Sequence, residues 1–148
     1  MPAGIPWHAA KMRFEETVEV DADIATVRPV LFDLESWPSM TESIDSLERV
    51  DAGPLRVGSR VRLKQPRLPG TEWTVTEVSE DAFTYESKSL GMRVVARHEL
   101  APRGSGTSLR LALDMTGPLS PVVGRLGGSL TRKYIEMEAQ GLKAAAEA

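Results

Sequence analysis

The sequence contains no cysteine among its 148 residues. Disulfide bonds and thiolate chemistry are therefore excluded, and we expect a cytoplasmic protein because reducing compartments suit chains without disulfides. Its two histidines, His8 and His98, lack the spacing of metal ligands, so we expect no transition-metal site. Phosphate-binding loops, dinucleotide-binding loops and the G-x-S-x-G pattern are also absent, and we expect no cofactor.

The sequence also has no large excess of either charge, since it contains 18 basic and 21 acidic residues. The two signs are interspersed, so nothing forms the continuous basic face that nucleic acid binding requires. No apolar run approaches about 18 residues, and we expect no stable membrane insertion. The first residues, MPAGIPWHAAKM, have no apolar core of a secretory signal. We interpret residues 1–11 as a loose arm before a single domain over 12–148, in a monomer or homodimer.

The periodicity of the N-terminal third predicts one strand followed by helices. Apolar and polar residues alternate in FEETVEV from Phe14, which predicts a half-buried strand. Asp23 is the expected N-cap of the helix that follows. Pro29 lies inside that helix and is expected to kink it or to delay its start. The helix should end before Pro38, because the preceding residue is pushed out of helical conformations, and a short second turn is expected over 41–44.

From Leu47 onward the period changes to two. Six segments alternate in this way: LERV, SRVRLKQ, TEWTVTEV, AFTYESKS, MRVVARHEL and TSLRLALDM. Turn sequences such as LPG, SED, LG and PRGSG separate most of them. This pattern predicts an antiparallel meander with one polar and one apolar face.

The chain ends in one long amphipathic helix that is expected to begin with Ser120 as N-cap. Its apolar stripe comprises Val123, Leu126, Leu130, Tyr134, Met137 and Gly141. Gly127 and Gly128 each cost the helix about 1 kcal/mol relative to alanine, which indicates close approach to the sheet, a bend, or space for another molecule. Strand, helices, long sheet and terminal helix together predict an α+β protein of two layers.

Four strings of the sequence resemble the START-like (SRPBCC) superfamily, and within it the polyketide cyclase/dehydrase and lipid-transport group. They are DLESWPSM, GPLRVGSRVRLKQPRLPGTEWTVTEV, RHEL and TGPLSPVVGRLGGSLTRKYIEMEAQGLKAAAEA, in a match that runs from about Met12 to Ala146. The resemblance implies the helix-grip fold, a curved seven-stranded antiparallel sheet wrapped around the C-terminal helix, with two short helices after the first strand. Members of the superfamily bind sterols, lipids, plant hormones, flavonoids and polyketides, and a minority catalyse cyclisation, dehydration or isomerisation.

The resemblance also implies a cavity between the sheet and the last helix, and the alternation indicates which side chains line it. The expected ligand-binding residues are Trp37, Leu63, Gln65, Trp73, Val75, Phe83, Tyr85, Ser87, Met92, Val94, His98, Leu111, Leu126, Leu130 and Tyr134. Periodicity leaves open whether Trp73 is a wall of the cavity or part of a filled core. The RLPG segment, residues 67–70, is the expected mouth, opposite the first helices.

Two residues are weak candidates for proton transfer. Alternation places His98 on the apolar face, where an imidazole suits acid–base catalysis or a hydrogen bond to a ligand, although a satisfied core histidine is the simpler interpretation. Desolvation favours its neutral form, whereas a nearby carboxylate such as Glu16 favours the cation. Tyr85 is the second candidate. No acid–base pair in contrasting environments is recognisable, and the catalytic residues therefore remain unknown.

Three functions stay open on the sequence alone. The first is a soluble binder of one hydrophobic or aromatic small molecule, such as a lipid or a polyketide. The second is a cofactor-independent cyclase, aromatase or dehydratase that uses the same cavity to orient its substrate. The third is an interaction or regulatory module whose cavity is filled. A cavity above about 300 Å³ favours either of the first two.

Overall fold

The computed structural model describes residues 11–89, 91–118 and 120–148, and the side chains of residues 11, 121–124 and 126 lie outside this description. Within it the strands are β1 (Lys11–Val20), β2 (Ser46–Arg49), β3 (Arg60–Lys64), β4 (Thr71–Val78), β5 (Ala82–Ser89), β6 (Met92–Arg103) and β7 (Gly106–Thr116). The helices are α1 (Ile24–Phe32), α2 (Trp37–Met40) and α3 (Ser120–Glu147), with a 3-10 turn at Leu34–Ser36. The expected N-terminal arm lies outside the described residues except for Lys11, where β1 begins.

The strands form one antiparallel sheet in the order β1-β7-β6-β5-β4-β3-β2. Helix α3 packs against β1 and β7, and α1 and α2 pack against α3. The meander places sequence neighbours side by side, while β1 and β7 are brought together by the return of the chain. The predicted α+β class and the helix-grip fold are confirmed.

Alternation in β1 separates a core face from a polar face. Phe14 and Val18 are buried, whereas the neighbouring Glu15 and Glu19 are exposed. Because successive side chains on a strand point to opposite faces of the sheet, the alternating sequence of β1 gives it one buried and one exposed face. The inner face of β1 lies against α3, where the ring of Phe14 is the nearest side chain to Gly128.

Helix α1 begins as the sequence predicts and tolerates its proline. The Oδ1 atom of Asp23 accepts a hydrogen bond from the backbone nitrogen of Thr26 at 3.0 Å, which satisfies one of the free N–H groups of the first turn. Pro29 lies inside the helix, which nevertheless continues to Phe32.

The second helix is not where the sequence analysis placed it. The first helix ends before Pro38 as expected, but the expectations that Trp37 leaves the helical region and that a short helical turn forms over 41–44 were wrong. Trp37 has helical dihedral angles, and Pro38 lies in the first turn of α2. Proline is tolerated there because the N–H groups of a first turn have no acceptor within the helix. Residues 41–44 lie outside α2, and the hydroxyl groups of Thr41 and Ser43 there are 2.7 Å apart.

The outer face of the sheet carries a network of ion pairs. Asp114 on β7 is buried and lies 3.1 Å from Arg13 on β1 and 2.7 Å from Arg97 on β6. On the same sheet, the Arg93 guanidinium holds the pKa of Glu86 below its usual value through a hydrogen bond. The guanidinium of Arg97 is thus paired with a carboxylate on the polar face of the sheet, and not on the face that carries α3.

Candidate ligand cavity

A cavity of about 370 Å³ lies between the inner face of the sheet and helix α3. Ten of the fifteen expected ligand-binding residues line it: Leu63, Gln65, Trp73, Tyr85, Met92, Val94, His98, Leu111, Leu130 and Tyr134. Strands β3 to β7 supply most of this wall because their inner-face residues alternate in phase.

Four of the other expected residues do not line the cavity. Trp37, Val75 and Phe83 are completely buried in the core, and Ser87 is half-buried on β5. Trp37 and Phe83 lie behind His98, whose ring stacks on that of Phe83 at a centroid distance of 4.3 Å. The fifteenth residue, Leu126, has a side chain outside the described residues.

Trp73 belongs to both of the environments that the sequence left open. Its side chain is buried with the core cluster, and the same residue lines the cavity. Its ring lies 4.8 Å from that of Tyr85, and its Nε1 atom donates a hydrogen bond to Oγ1 of Thr71 at 2.8 Å. With its polar atom satisfied, Trp73 presents an ordered aromatic surface to the cavity.

The loop between β3 and β4, residues 65–70, forms part of the cavity mouth. Leu68 and Pro69 line the cavity and are exposed, as is Ser89 at the end of β5. The hydroxyl of Tyr134 on α3 donates a hydrogen bond of 2.6 Å to the carbonyl oxygen of Pro66, which ties this loop to the helix. We expected the first helices on the other side of the mouth, yet no described residue of α1 or α2 lines the cavity.

At its inner end the cavity contains a carboxylate that the sequence analysis missed. Glu138 lines the cavity, and its Oε2 atom lies 3.5 Å from Nε2 of His98. The apolar stripe predicted for α3 runs from Tyr134 to Met137 and Gly141, whereas the face of the helix that lines the cavity continues in steps of four from Leu130 through Tyr134 to Glu138. The spacing of four was the available signal, since such residues share one helix face.

His98 is enclosed by aromatic rings on several sides. It is 2% exposed, with Phe83 stacked on it and Tyr85 edge-on at 5.1 Å. Its Nδ1 atom is buried and has no hydrogen-bond partner among the described residues. The expected apolar environment of this imidazole is therefore present, and the nearby carboxylate is Glu138 and not the suggested Glu16.

Tyr85 completes a polar cluster with His98 and Glu138. Burial raises the pKa of Tyr85 well above its ordinary value of 10.0, and the negative charge of Glu138 raises that pKa further. The hydroxyl therefore remains a protonated donor throughout the neutral range. Across the part of the chain that is described, neither this hydroxyl nor the Glu138 carboxylate has a hydrogen bond to another residue, so both are available to a ligand.

The described residues contain neither a cluster suited to a metal ion nor a helix suited to a membrane. No group of three or more histidine, cysteine, aspartate or glutamate side chains there is arranged to hold a metal ion. No described helix combines the length and the apolar character that a membrane span requires.

The family model for polyketide cyclase/dehydrase and lipid transport proteins matches residues 11–147. The chain belongs to this family. The match covers β1 through α3, which is the whole sheet and the helix that closes the cavity, and the START-like resemblance is confirmed. No curated protein sequence matches the chain.

Solved structures of similar fold include enzymes and a START superfamily protein. The Zhui aromatase/cyclase from Streptomyces sp. R1128 is 16% identical with a TM-score of 0.75, over 93% of this chain and 94% of that one. Norcoclaurine synthase from Thalictrum flavum, in complex with dopamine and hydroxybenzaldehyde, is 13% identical with a TM-score of 0.70, over 98% and 94%. A START superfamily protein from Mycobacterium smegmatis is 21% identical with a TM-score of 0.68, over 87% and 94%. These identities establish the fold alone.

Proposed function

We propose that this protein binds one compact aromatic molecule in the cavity between the sheet and α3, with the polar end of the molecule at His98 and Glu138. The observation that carries the proposal is the combination of an aromatic wall with two unsatisfied polar groups at one end. Small-molecule sites typically have this composition, largely apolar with a few placed polar groups. The family and the fold agree with a small-molecule binder.

The wall favours flat ligands over flexible chains. Trp73, Tyr85 and Tyr134 line the same space, and aromatic rings gain most from stacking or edge contacts with another ring. A volume of about 370 Å³ lies at the small end of the range of roughly 300–1,000 Å³ that ligand pockets occupy. One molecule of a few fused rings would fill it.

A pair of glycines on α3 provides a direct test of the proposal. Gly127 lines the cavity, and a Cβ added there meets no atom within 4 Å. We expect Gly127→Leu to fill the cavity without disturbing the helix, since leucine is the better helix former. Titration with a neutral, environment-sensitive naphthalene dye should then show a loss of binding of about tenfold or more, the effect of losing roughly 1.4 kcal/mol.

Gly128→Ala is the matched control for this experiment. A Cβ at Gly128 would lie 3.8 Å from the ring of Phe14, an ordinary contact on the sheet side of the helix. This variant gains the same helical propensity and should bind the dye as the wild type does. Equal binding in all three proteins, or no binding in the wild type, would refute the cavity as a ligand site.

A second function, cofactor-independent proton transfer, is favoured by one further observation. The imidazole of His98, the carboxylate of Glu138 and the protonated hydroxyl of Tyr85 converge at the same end of the cavity. A base and a hydrogen-bond donor that reach the same ketone are the requirement for enolising it, the step on which cyclisation and dehydration depend. In this proposal His98 removes the proton and Tyr85 donates a hydrogen bond to the developing oxyanion.

Deuterium exchange distinguishes the enzyme from the binder. An aryl methyl ketone held in the cavity in heavy water should exchange its methyl hydrogens if His98 acts as a base, because enolisation and return of a deuteron restore the ketone. The rate should fall at least about a hundredfold in His98→Gln, the contribution of a positioned general base. Unchanged ketone with intact binding would leave the protein a binder.

The cellular setting that we propose rests on composition. A cysteine-free chain with balanced charges suits a cytoplasmic monomer or homodimer that does not bind nucleic acid. Size-exclusion chromatography with light scattering tests the oligomeric state.

A further inference from the structure

We infer that the ligand of this cavity is an aromatic amine, and that Glu138 selects it against carboxylic acids. This inference rests on the proposed function and specifies its ligand. It follows from the charge balance of the cavity and from the surroundings of one carboxylate.

The Glu138 carboxylate is enclosed without adequate partners. Its side chain is 16% exposed, it lines the cavity, and its ion-pair partner among the described residues is the Nε2 atom of His98 at 3.5 Å, with the Tyr85 hydroxyl also nearby. That distance is longer than a normal N–H···O hydrogen bond, which is about 2.7–3.2 Å. A carboxylate can accept about four hydrogen bonds, and the described residues supply it with none of normal length. A ligand that donates hydrogen bonds would therefore find an acceptor at this end of the cavity.

The remaining charges make the cavity neutral or negative at neutral pH. Arg97 is the one lysine or arginine among the described lining residues, and its guanidinium is bound to Asp114 on the polar face. A proton on His98 would add one positive charge, but the adjacent Glu138 would cancel it. An anionic ligand therefore finds no surplus positive charge, whereas a cation is attracted to Glu138.

The aromatic wall also favours a cation. Trp73 and Tyr85 lie with their ring centroids 4.8 Å apart, and Tyr134 lines the same space one helical turn before Glu138. Ammonium groups are attracted to the faces of tryptophan and tyrosine rings, most strongly where water is excluded. An ammonium at Glu138 and a ring system against Trp73 would satisfy both features with one molecule.

Three probes of nearly equal shape test the charge preference. They are 2-(1-naphthyl)ethylamine, 2-(1-naphthyl)ethanol and 1-naphthylacetate, measured by calorimetry at neutral pH. In the wild type we expect the amine to bind at least about tenfold more tightly than the alcohol, because a charged hydrogen bond is worth more than a neutral one, and the carboxylate to bind most weakly. A carboxylate that binds as tightly as the amine would overturn the inference.

Two variants assign the preference to one residue. Glu138→Gln keeps the shape of the side chain and should bring the amine to the affinity of the alcohol, with the alcohol itself changed by less than about threefold. Glu136→Gln removes the same charge from an exposed position of α3 and should leave the wild-type order intact. An equal loss of amine binding in both variants would mean that the general field of the protein is responsible. If the alcohol also fails to bind, the proposed function itself is wrong; if the alcohol binds but the amine shows no advantage, the amine inference alone is wrong.

Discussion

The Nε2 atom of His98 and the Oε2 atom of Glu138 lie 3.5 Å apart, on a strand and a helix that are distant in sequence. Both side chains are largely withdrawn from solvent, at 3% and 16% exposure, so water screens their interaction poorly. The pair therefore links the middle of β6 to the second half of α3 and sets the polarity of the inner end of the cavity.

This pair should be energetically coupled. His98→Phe preserves the stacking on Phe83 but leaves Glu138 without its polar neighbour, so we expect the free energy of unfolding to fall by about 1–3 kcal/mol. In the double variant with Glu138→Gln the loss should be smaller than the sum of the single losses, with a coupling of about 0.5–3 kcal/mol. Urea denaturation of the four proteins measures this, and additive effects would contradict the interaction.

Trp73 should report ligand binding by its fluorescence. Because its indole lines the cavity, a bound aromatic ligand should shift or quench its emission, and Trp73→Phe should remove most of that change. Trp37→Phe is the control, since Trp37 is fully buried behind His98 and outside the cavity wall. A signal lost in Trp37→Phe and kept in Trp73→Phe would place the ligand elsewhere.

Tyr85 should give the domain an alkaline limit to its stability. Burial raises the pKa of Tyr85 in the folded protein, so the unfolded chain releases this proton first, near the ordinary value of 10.0. The contribution of Tyr85 to the free energy of unfolding is fully present below that pH. It is lost as the pH rises from there through the pKa that Tyr85 has in the folded protein. The free energy of unfolding should thus decline above about pH 10 in the wild type and less steeply in Tyr85→Phe. Equal slopes in the two proteins would show that Tyr85 titrates freely.

Glycines of α3 should respond in opposite directions to alanine. A Cβ at Gly141 would lie 2.9 Å from the Cβ of Thr41 and closer still to the carbonyl oxygen of Met40. The backbone at Met40 cannot move aside without a cost in free energy. Gly141→Ala should therefore destabilise the domain by about 1–3 kcal/mol, the usual cost of overpacking. Gly127→Ala meets open space and should stabilise it by about 1 kcal/mol. Thermal denaturation of both variants measures these changes in stability. A stabilised Gly141→Ala would refute the close approach of α3 to the segment of Met40 and Thr41.

Tyr134 should control how quickly ligands exchange. Tyr134→Phe removes the hydrogen bond to the carbonyl of Pro66 and frees the loop of residues 65–70, so stopped-flow measurements with the naphthalene dye should show faster association and dissociation. Rates unaffected by Tyr134→Phe would exclude the loop as the barrier.

Most of the architecture was predictable because it depends on local periodicity. In β3, Val61 and Leu63 face inward while Arg60 and Arg62 face outward, and this alternation alone identifies the strand and its buried side. The cap at Asp23 was equally local. The start of α2 at Trp37 was not, because Pro38 is compatible both with ending one helix and with starting the next.

The candidate site was predictable only in part, because a cavity is a property of packing between distant elements. Phe83 has the same periodicity as the lining residues of its strand, and its position behind His98 and beside Trp37 depends on how distant elements pack. A register irregularity between Val75 and Glu77 in β4 likewise has no signal in an alternating sequence. Glu138 was missed because the stripe of a long helix admits two continuations from Tyr134.

The unequal pairing of the sheet predicts different rates of hydrogen exchange on its two sides. β7 is paired along its whole length, at ten positions with β1 and at eleven with β6, whereas β2 meets β3 at only four positions. Backbone amides of β7 should therefore exchange with heavy water only when the whole domain unfolds, while those of β2 and β3 exchange through local opening. Leu63 and the loop of residues 65–70 belong to the side for which we expect local opening, so we expect ligands to enter the cavity from that side.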